Sequence, residues 1–167
     1  MTRIAAVFCT LLLAPLAAGA EWPATPFERS EGRETPRYAE TVAWLDELAA
    51  RSPLLASTTF GTSPEGRALP VVVADRAGRF APADHADRTD HVVVMVQACI
   101  HAGESCGKDA GMILLRDLAA GAPGVAGLLD HATIVFIPIF NVDGHERFGP
   151  HNRINQNGPA EMGWRVT

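Results

Sequence analysis

The sequence has 167 residues, 47% of them hydrophobic, which suits one folded domain with its own core and excludes a disordered polar tail. Its formal charge is −5; residues 1–20 hold one of the 14 basic and none of the 19 acidic residues, so without them the charge is −6. A chain this acidic is not built to bind nucleic acid.

The first 20 residues set Arg3 before an apolar stretch, Ile4 to Leu13, and place Ala18-Gly19-Ala20 just ahead of Glu21. This pattern predicts a secretory signal peptide cleaved after Ala20, and hence a secreted or periplasmic protein. A spanning helix needs about 20 apolar residues, whereas Thr10, Pro15 and Gly19 interrupt this stretch. No stable membrane insertion is expected after cleavage. Cys9 leaves with the signal, and Cys99 and Cys106 remain, either paired or as thiols.

Residues 21–37 are rich in Pro, Glu and Arg without periodicity and read as an extended lead-in; the domain proper spans 38–167. From Tyr38, the apolar residues Val42, Leu45, Leu48 and Ala49 recur at helical spacing until Ser52-Pro53 stops them. Ser57 to Gly61 and Ala68 to Ala74 are β-rich runs joined by the turn formers of Thr62 to Arg67, a β-hairpin. Asp75 to Asp90 reads as a surface loop, with His85 and His91 as solvated loop residues.

Val92 to Val96 is continuously apolar and mostly β-branched, the signature of a central strand covered on both faces. A helical stretch from about Ser105 to Ala120 and a second apolar run, Thr133 to Phe140, follow. Strand, helix, strand predicts two parallel strands. The fold class is α/β, a mixed and largely parallel sheet flanked by helices.

On this plan His101 leaves the carboxyl end of a buried strand and Glu104 stands in the first turn of the next helix. Ligand sites in open α/β sheets form at such strand ends. Imidazole nitrogen and carboxylate oxygen are both acceptable to zinc, and Gly103 permits a tight turn between them. Of the other histidines, His131 is expected at the opposite end of its strand, and His145 and His151 in loop surface or cleft wall. His145-Glu146 is not followed by a histidine four positions after His145, so it is not the helical HExxH motif.

Four ordered motifs carry a resemblance: Gly61 to Arg67 (GTSPEGR), His101 to Glu104 (HAGE), Gly107 to Gly111 (GKDAG) and Asn141 to Gly144 (NVDG). Together, from about Tyr38 to Thr167, they resemble the carboxypeptidase A-like zinc metallocarboxypeptidases. The resemblance implies one zinc ion with His101 and Glu104 as its first two ligands and a peptide substrate. It also implies that Asn152-Arg153 and Trp164-Arg165 line the cleft, with Arg165 matching the arginine that stabilises the oxyanion. The family's frequent arginine before the zinc-binding glutamate is Gly103 here.

The activity so implied is hydrolysis of a peptide bond near a chain's carboxyl end. In the family the third zinc ligand, the general-base glutamate and the pair that grips the terminal carboxylate all come later, and the sequence stops at Thr167 before them. The expectation is therefore the amino-terminal part of a catalytic domain, incomplete at the carboxyl end, inactive alone and aggregation-prone at an uncovered strand edge. Two alternatives stand beside it: a zinc amidohydrolase or deacylase of the same fold group, and a non-catalytic vestigial protein.

Overall fold

A computed structural model describes residues 21–87, 89, 91–153 and 157–165. The expected signal peptide, residues 1–20, lies outside the described residues. Among the described residues, no helix is long and apolar enough to cross a membrane.

The lead-in is not extended throughout. Pro26–Arg29 form a single helical turn, α1. Thr25 caps it by accepting from the Glu28 amide, while Glu28 accepts from the Thr25 amide, a reciprocal arrangement that satisfies two donors a helix start leaves open. Thr25 and Thr35 are buried, so this segment packs into the domain.

Helix α2, Tyr38–Arg51, buries Thr41, Trp44, Leu45 and Leu48, the i, i+3, i+4, i+7 stripe of an amphipathic helix. It stops where Ser52 precedes Pro53, in extended conformation as a residue before proline prefers. Strands β1, Leu55–Thr62, and β2, Ala68–Ala74, pair antiparallel. In the turn between them Gly66 has φ +83°, a conformation that favours glycine.

Strand β3, Val92–Gln97, helix α3, Cys106–Ala120, and strand β4, Ala132–Ile137, form the expected βαβ unit with β3 and β4 parallel and adjacent. The sheet order is β1-β2-β4-β3, with β4 antiparallel to β2. The sheet is thus mixed, as expected, but of its three described pairings only β3–β4 is parallel, so the described part is not largely parallel. α2 and α3 share one core with alternate residues of β2 and β4: Val72 opposite Phe136, and Ala74 opposite Ile134. Met112, Leu115 and Leu118 bring α3 onto this layer. Complete burial of a Leu or Phe side chain contributes about 1.5–3 kcal/mol, so Leu48, Leu115 and Phe136 anchor the helices to the sheet.

β3 departs from expectation. Its composition reads as a central strand, yet it is the edge of the described sheet, and Val92 through Val96 are 37–64% exposed. Sequence reports what a strand is suited to; among the described residues nothing covers this one.

The Asp75 to Asp90 segment also differs in part. The side chain of His91 is 4% exposed, and its Nε2 meets Thr133 Oγ1 at 2.9 Å, while Thr133 donates to Asp75 at 2.5 Å. His91 is therefore part of the packed structure at the end of the sheet where β3 and β4 begin. Burial alone pushes the Asp75 carboxyl up, but donation by Thr133 and by the Arg79 and Ala77 amides brings it below its usual value.

Candidate active site

The site forms where β3 and β4 end. Pairing continues beyond both strands: Ala98 donates to Ile137, Phe140 to Ala98, and Asn141 to Cys99. Cys99 then takes φ +50°, a left-handed conformation uncommon for a non-glycine residue, and the chain leaves the sheet. The Glu104 amide donates to the His101 carbonyl at 2.8 Å, so one tight turn carries both candidate donors. His101 and Glu104 are exposed, and the imidazole of His101 makes no hydrogen bond among the described residues. Glu104 precedes the first turn of α3, which begins at Cys106, and its side chain serves another contact.

That contact is Arg153, whose Nη1 donates to Glu104 Oε1 at 3.1 Å. The Arg153 side chain is 4% exposed, and Nη2 donates to the Arg165 carbonyl at 3.4 Å. Asn152 holds the preceding turn, donating to the Arg147 and Met162 carbonyls. Arg165 is exposed. Among the described residues it is Arg153, and not Arg165, that is hydrogen-bonded to the donor pair.

Gly103 is needed for a reason other than turn flexibility. A Cβ there would lie 2.3 Å from the Gly163 carbonyl oxygen and 3.0 Å from Arg153 Nε. The Gly103 amide donates to the Trp164 carbonyl at 2.8 Å, and the Trp164 amide to the Gly144 carbonyl at 3.0 Å. Residues 163 and 164 are thus threaded between the HAGE turn and the NVDG loop, and a side chain at position 103 meets backbone.

The NVDG loop is the hub of this end of the molecule. Asn141 caps the short helix α4, Val142–His145, by accepting from the Gly144 amide. Asp143 accepts from Ser63, from the Glu65 amide and from Arg67, fixing the hairpin turn. Burial raises the Asp143 carboxyl, but these donors outweigh it and leave its pKa lowered. Glu146 accepts from the Tyr38 amide, anchoring the start of α2.

His145 is not loop surface: it is 1% exposed, with Nδ1 facing Glu146 Oε1 at 3.1 Å and Nε2 facing Lys108 Nζ at 3.1 Å. Burial pushes its pKa down to about 4, against the raising effect of Glu146 and with the help of the Lys108 charge. Nδ1–H therefore donates to Glu146 and Nε2 accepts from Lys108. Lys108, fully buried, also donates to the Pro36 carbonyl, and burial lowers its pKa. Its role was hidden in the sequence, where the available signal was a lysine on the apolar side of α3. Asp109 beside it accepts from Thr35 and is raised by burial.

The remaining candidates sit as follows. His151 is exposed, and His131 is exposed at the opposite end of β4, as expected. Cys99 is a buried free thiol pushed up to about 12 by burial, and Cys106 is an exposed free thiol. Nitrogen and carboxylate oxygen at His101 and Glu104 suit zinc in kind, but among the described residues no third His, Cys, Asp or Glu joins them in a metal-binding group.

Solved structures with similar folds include a metallo-carboxypeptidase from Burkholderia cenocepacia, 23% identical over 64% of this chain and 27% of that one, TM-score 0.50. Carboxypeptidase A from Helicoverpa armigera is 19% identical over 67% of this chain and 26% of that one, TM-score 0.52. Bovine thrombin-activatable fibrinolysis inhibitor, solved with a tick carboxypeptidase inhibitor, is 18% identical over 68% and 33%, TM-score 0.53. The chain thus spans about a quarter to a third of the length of these structures. No curated protein matches it. The family model described as zinc carboxypeptidase matches residues 41–163, a stretch that holds the hairpin turn, the HAGE turn and the NVDG hub. With the fold and these motifs in agreement with that match, the chain belongs to the zinc carboxypeptidase family.

Proposed function

We propose that this chain supplies the first two metal ligands, His101 and Glu104, and part of the substrate cleft of a secreted or periplasmic zinc metallocarboxypeptidase. Its substrate is a peptide, cleaved at the carboxyl end. The observation that carries this reading is one tight turn holding an exposed imidazole and an exposed carboxylate at the carboxyl ends of two parallel strands. Zinc bound there would polarise a carbonyl and lower the pKa of a coordinated water.

The chain's own residues bind and orient. His101 and Glu104 offer one nitrogen and one carboxylate donor, and the Lys108–His145 pair fixes α3 against the hub. Arg165, exposed and next in sequence to Trp164, whose carbonyl accepts from the Gly103 amide, is the cation proposed for the oxyanion. A catalytic zinc usually takes three protein ligands, so the third donor and the general base are proposed to lie on further chain, for which residues 38–167 are the amino-terminal part of the domain. Further strands of that chain would cover β3.

The test is zinc content after dialysis, with hydrolysis of a blocked dipeptide bearing a free carboxylate and of a small N-acyl amino acid. Wild type is compared with a His101→Ala, Glu104→Ala double variant. Weak zinc binding abolished in the variant, with no turnover by the chain alone, is expected. Tight stoichiometric zinc with turnover would show that the chain completes its own site. Zinc binding indifferent to the variant would remove the ligand assignment.

A further inference from the structure

Arg153 stands in an unusual position for a cation. Its side chain is 4% exposed, and it donates to the Arg165 carbonyl and to Glu104 Oε1. The pocket in which it lies exists because position 103 is a glycine, since a Cβ there would reach to 3.0 Å from Arg153 Nε. A guanidinium taken out of water must be repaid by partners that do not move away. Glu104 is one of those partners, and it is also a candidate metal donor.

The geometry of the pair decides between two roles. A competitor for the carboxylate would take both oxygens in a fork, the strongest arrangement open to arginine. Here one Arg153 nitrogen contacts one oxygen, Oε1, and Oε2 has no hydrogen bond among the described residues. The other Arg153 nitrogen is turned to the backbone of residue 165. One carboxylate oxygen is fixed and the second is left available.

We infer that Arg153 is a positioning residue for the metal pair: its hydrogen bond to Oε1 holds the Glu104 carboxylate in the orientation in which it would meet a metal. This rests on the assignment of His101 and Glu104 as metal donors. Partners that orient a metal ligand from outside the coordination shell typically contribute 10–100-fold in affinity. Arg153 also donates to the Arg165 carbonyl, and the Gly103 amide to the Trp164 carbonyl, so both tie the segment carrying Arg165 to the donor turn.

The experiment is calorimetric titration of the full chain with Zn2+, with near-ultraviolet circular dichroism as the check on folding. Wild type, Arg153→Lys, Arg153→Met, Glu104→Gln and the Arg153→Met, Glu104→Gln double variant are compared. Arg153→Met should weaken zinc binding about 10–100-fold, with Arg153→Lys intermediate, because it restores the charge without the planar fork. On the Glu104→Gln background, Arg153→Met should cost nothing further. Unchanged or tighter binding in Arg153→Met would overturn the inference and leave the ligand assignment intact. An equal loss on both backgrounds would do the same, by showing a general structural effect. If Arg153→Met does not fold, wild-type affinity in a folded Arg153→Lys would overturn it. Absence of zinc binding by folded wild type would overturn the ligand assignment and this inference together.

Discussion

Replacing Gly103 by alanine sets two effects against each other. Where alanine fits, it stabilises by about 0.4–1 kcal/mol by restricting the unfolded chain. Here it does not fit: the new methyl carbon would stand 2.3 Å from the Gly163 carbonyl oxygen, which must retreat by about an ångström. Gly163 has nowhere to go, since its own α-carbon is packed so closely that a Cβ there would lie 2.8 Å from His145 Cα and 2.9 Å from the Gly144 oxygen. Overpacking of this kind costs about 1–3 kcal/mol. Losing the Gly103 to Trp164 hydrogen bond adds about 1 kcal/mol. The clash wins, and once the gain from restricting the unfolded chain is deducted Gly103→Ala should destabilise the chain by about 1–3 kcal/mol. In urea, at about 2 kcal/mol per molar, the midpoint should fall by about 0.5–1.5 M, followed by tryptophan fluorescence at low protein concentration. Gly127→Ala is the control, because a Cβ there approaches only Asp130, at 3.8 Å. Equal midpoints for the two variants would refute the packing argument.

Three further outcomes are expected. The imidazole of His145 is held at about 4 in the folded chain against 6.5 unfolded, so its contribution is complete above pH 6.5 and lost as pH falls towards 4. It amounts to about 3 kcal/mol; His145→Gln should flatten stability between pH 6.5 and 4, and an unchanged slope there would assign the acid sensitivity elsewhere. The exposed apolar edge of β3 should drive self-association, which Val93→Lys with Met95→Lys should reduce in light scattering; a wild-type chain that stays monomeric on concentration would contradict this. A maleimide should modify exposed Cys106 and spare buried Cys99, as mapped by mass spectrometry, and rapid native labelling of Cys99 would show that the strand end opens.

The elements with strong local signals were legible in the sequence. Helix α2, the hairpin around Gly66 and the βαβ unit follow from residue spacing, which also puts His101 and Glu104 at a strand end; the buried face of α2 shares Leu45 and Leu48 with the expected stripe but adds Thr41 and Trp44 in place of the half-buried Val42 and Ala49. What was not legible depends on segments far apart in the chain. Nothing near Gly103 announces that Gly163 will press against it, and nothing near His145 announces a buried lysine on α3. Pairing between Arg153 and Glu104, 49 residues apart, is likewise a product of the tertiary fold. The apolar run of β3 reports suitability for burial, whereas its place at the edge of the described sheet is decided by its partners.

The NVDG hub also dictates when the site can form. Glu146 caps the start of α2 across 108 residues, Asp143 holds Ser63 across 80, and Lys108 meets His145 across 37. Contacts so distant in sequence are slow to close, because chain entropy is lost before they repay it. During synthesis, α2 and the hairpin emerge long before the residues that lock them. The donor turn is therefore expected to become rigid late in folding, and a hub substitution should delay its protection from hydrogen exchange more than that of the α2–β2 core.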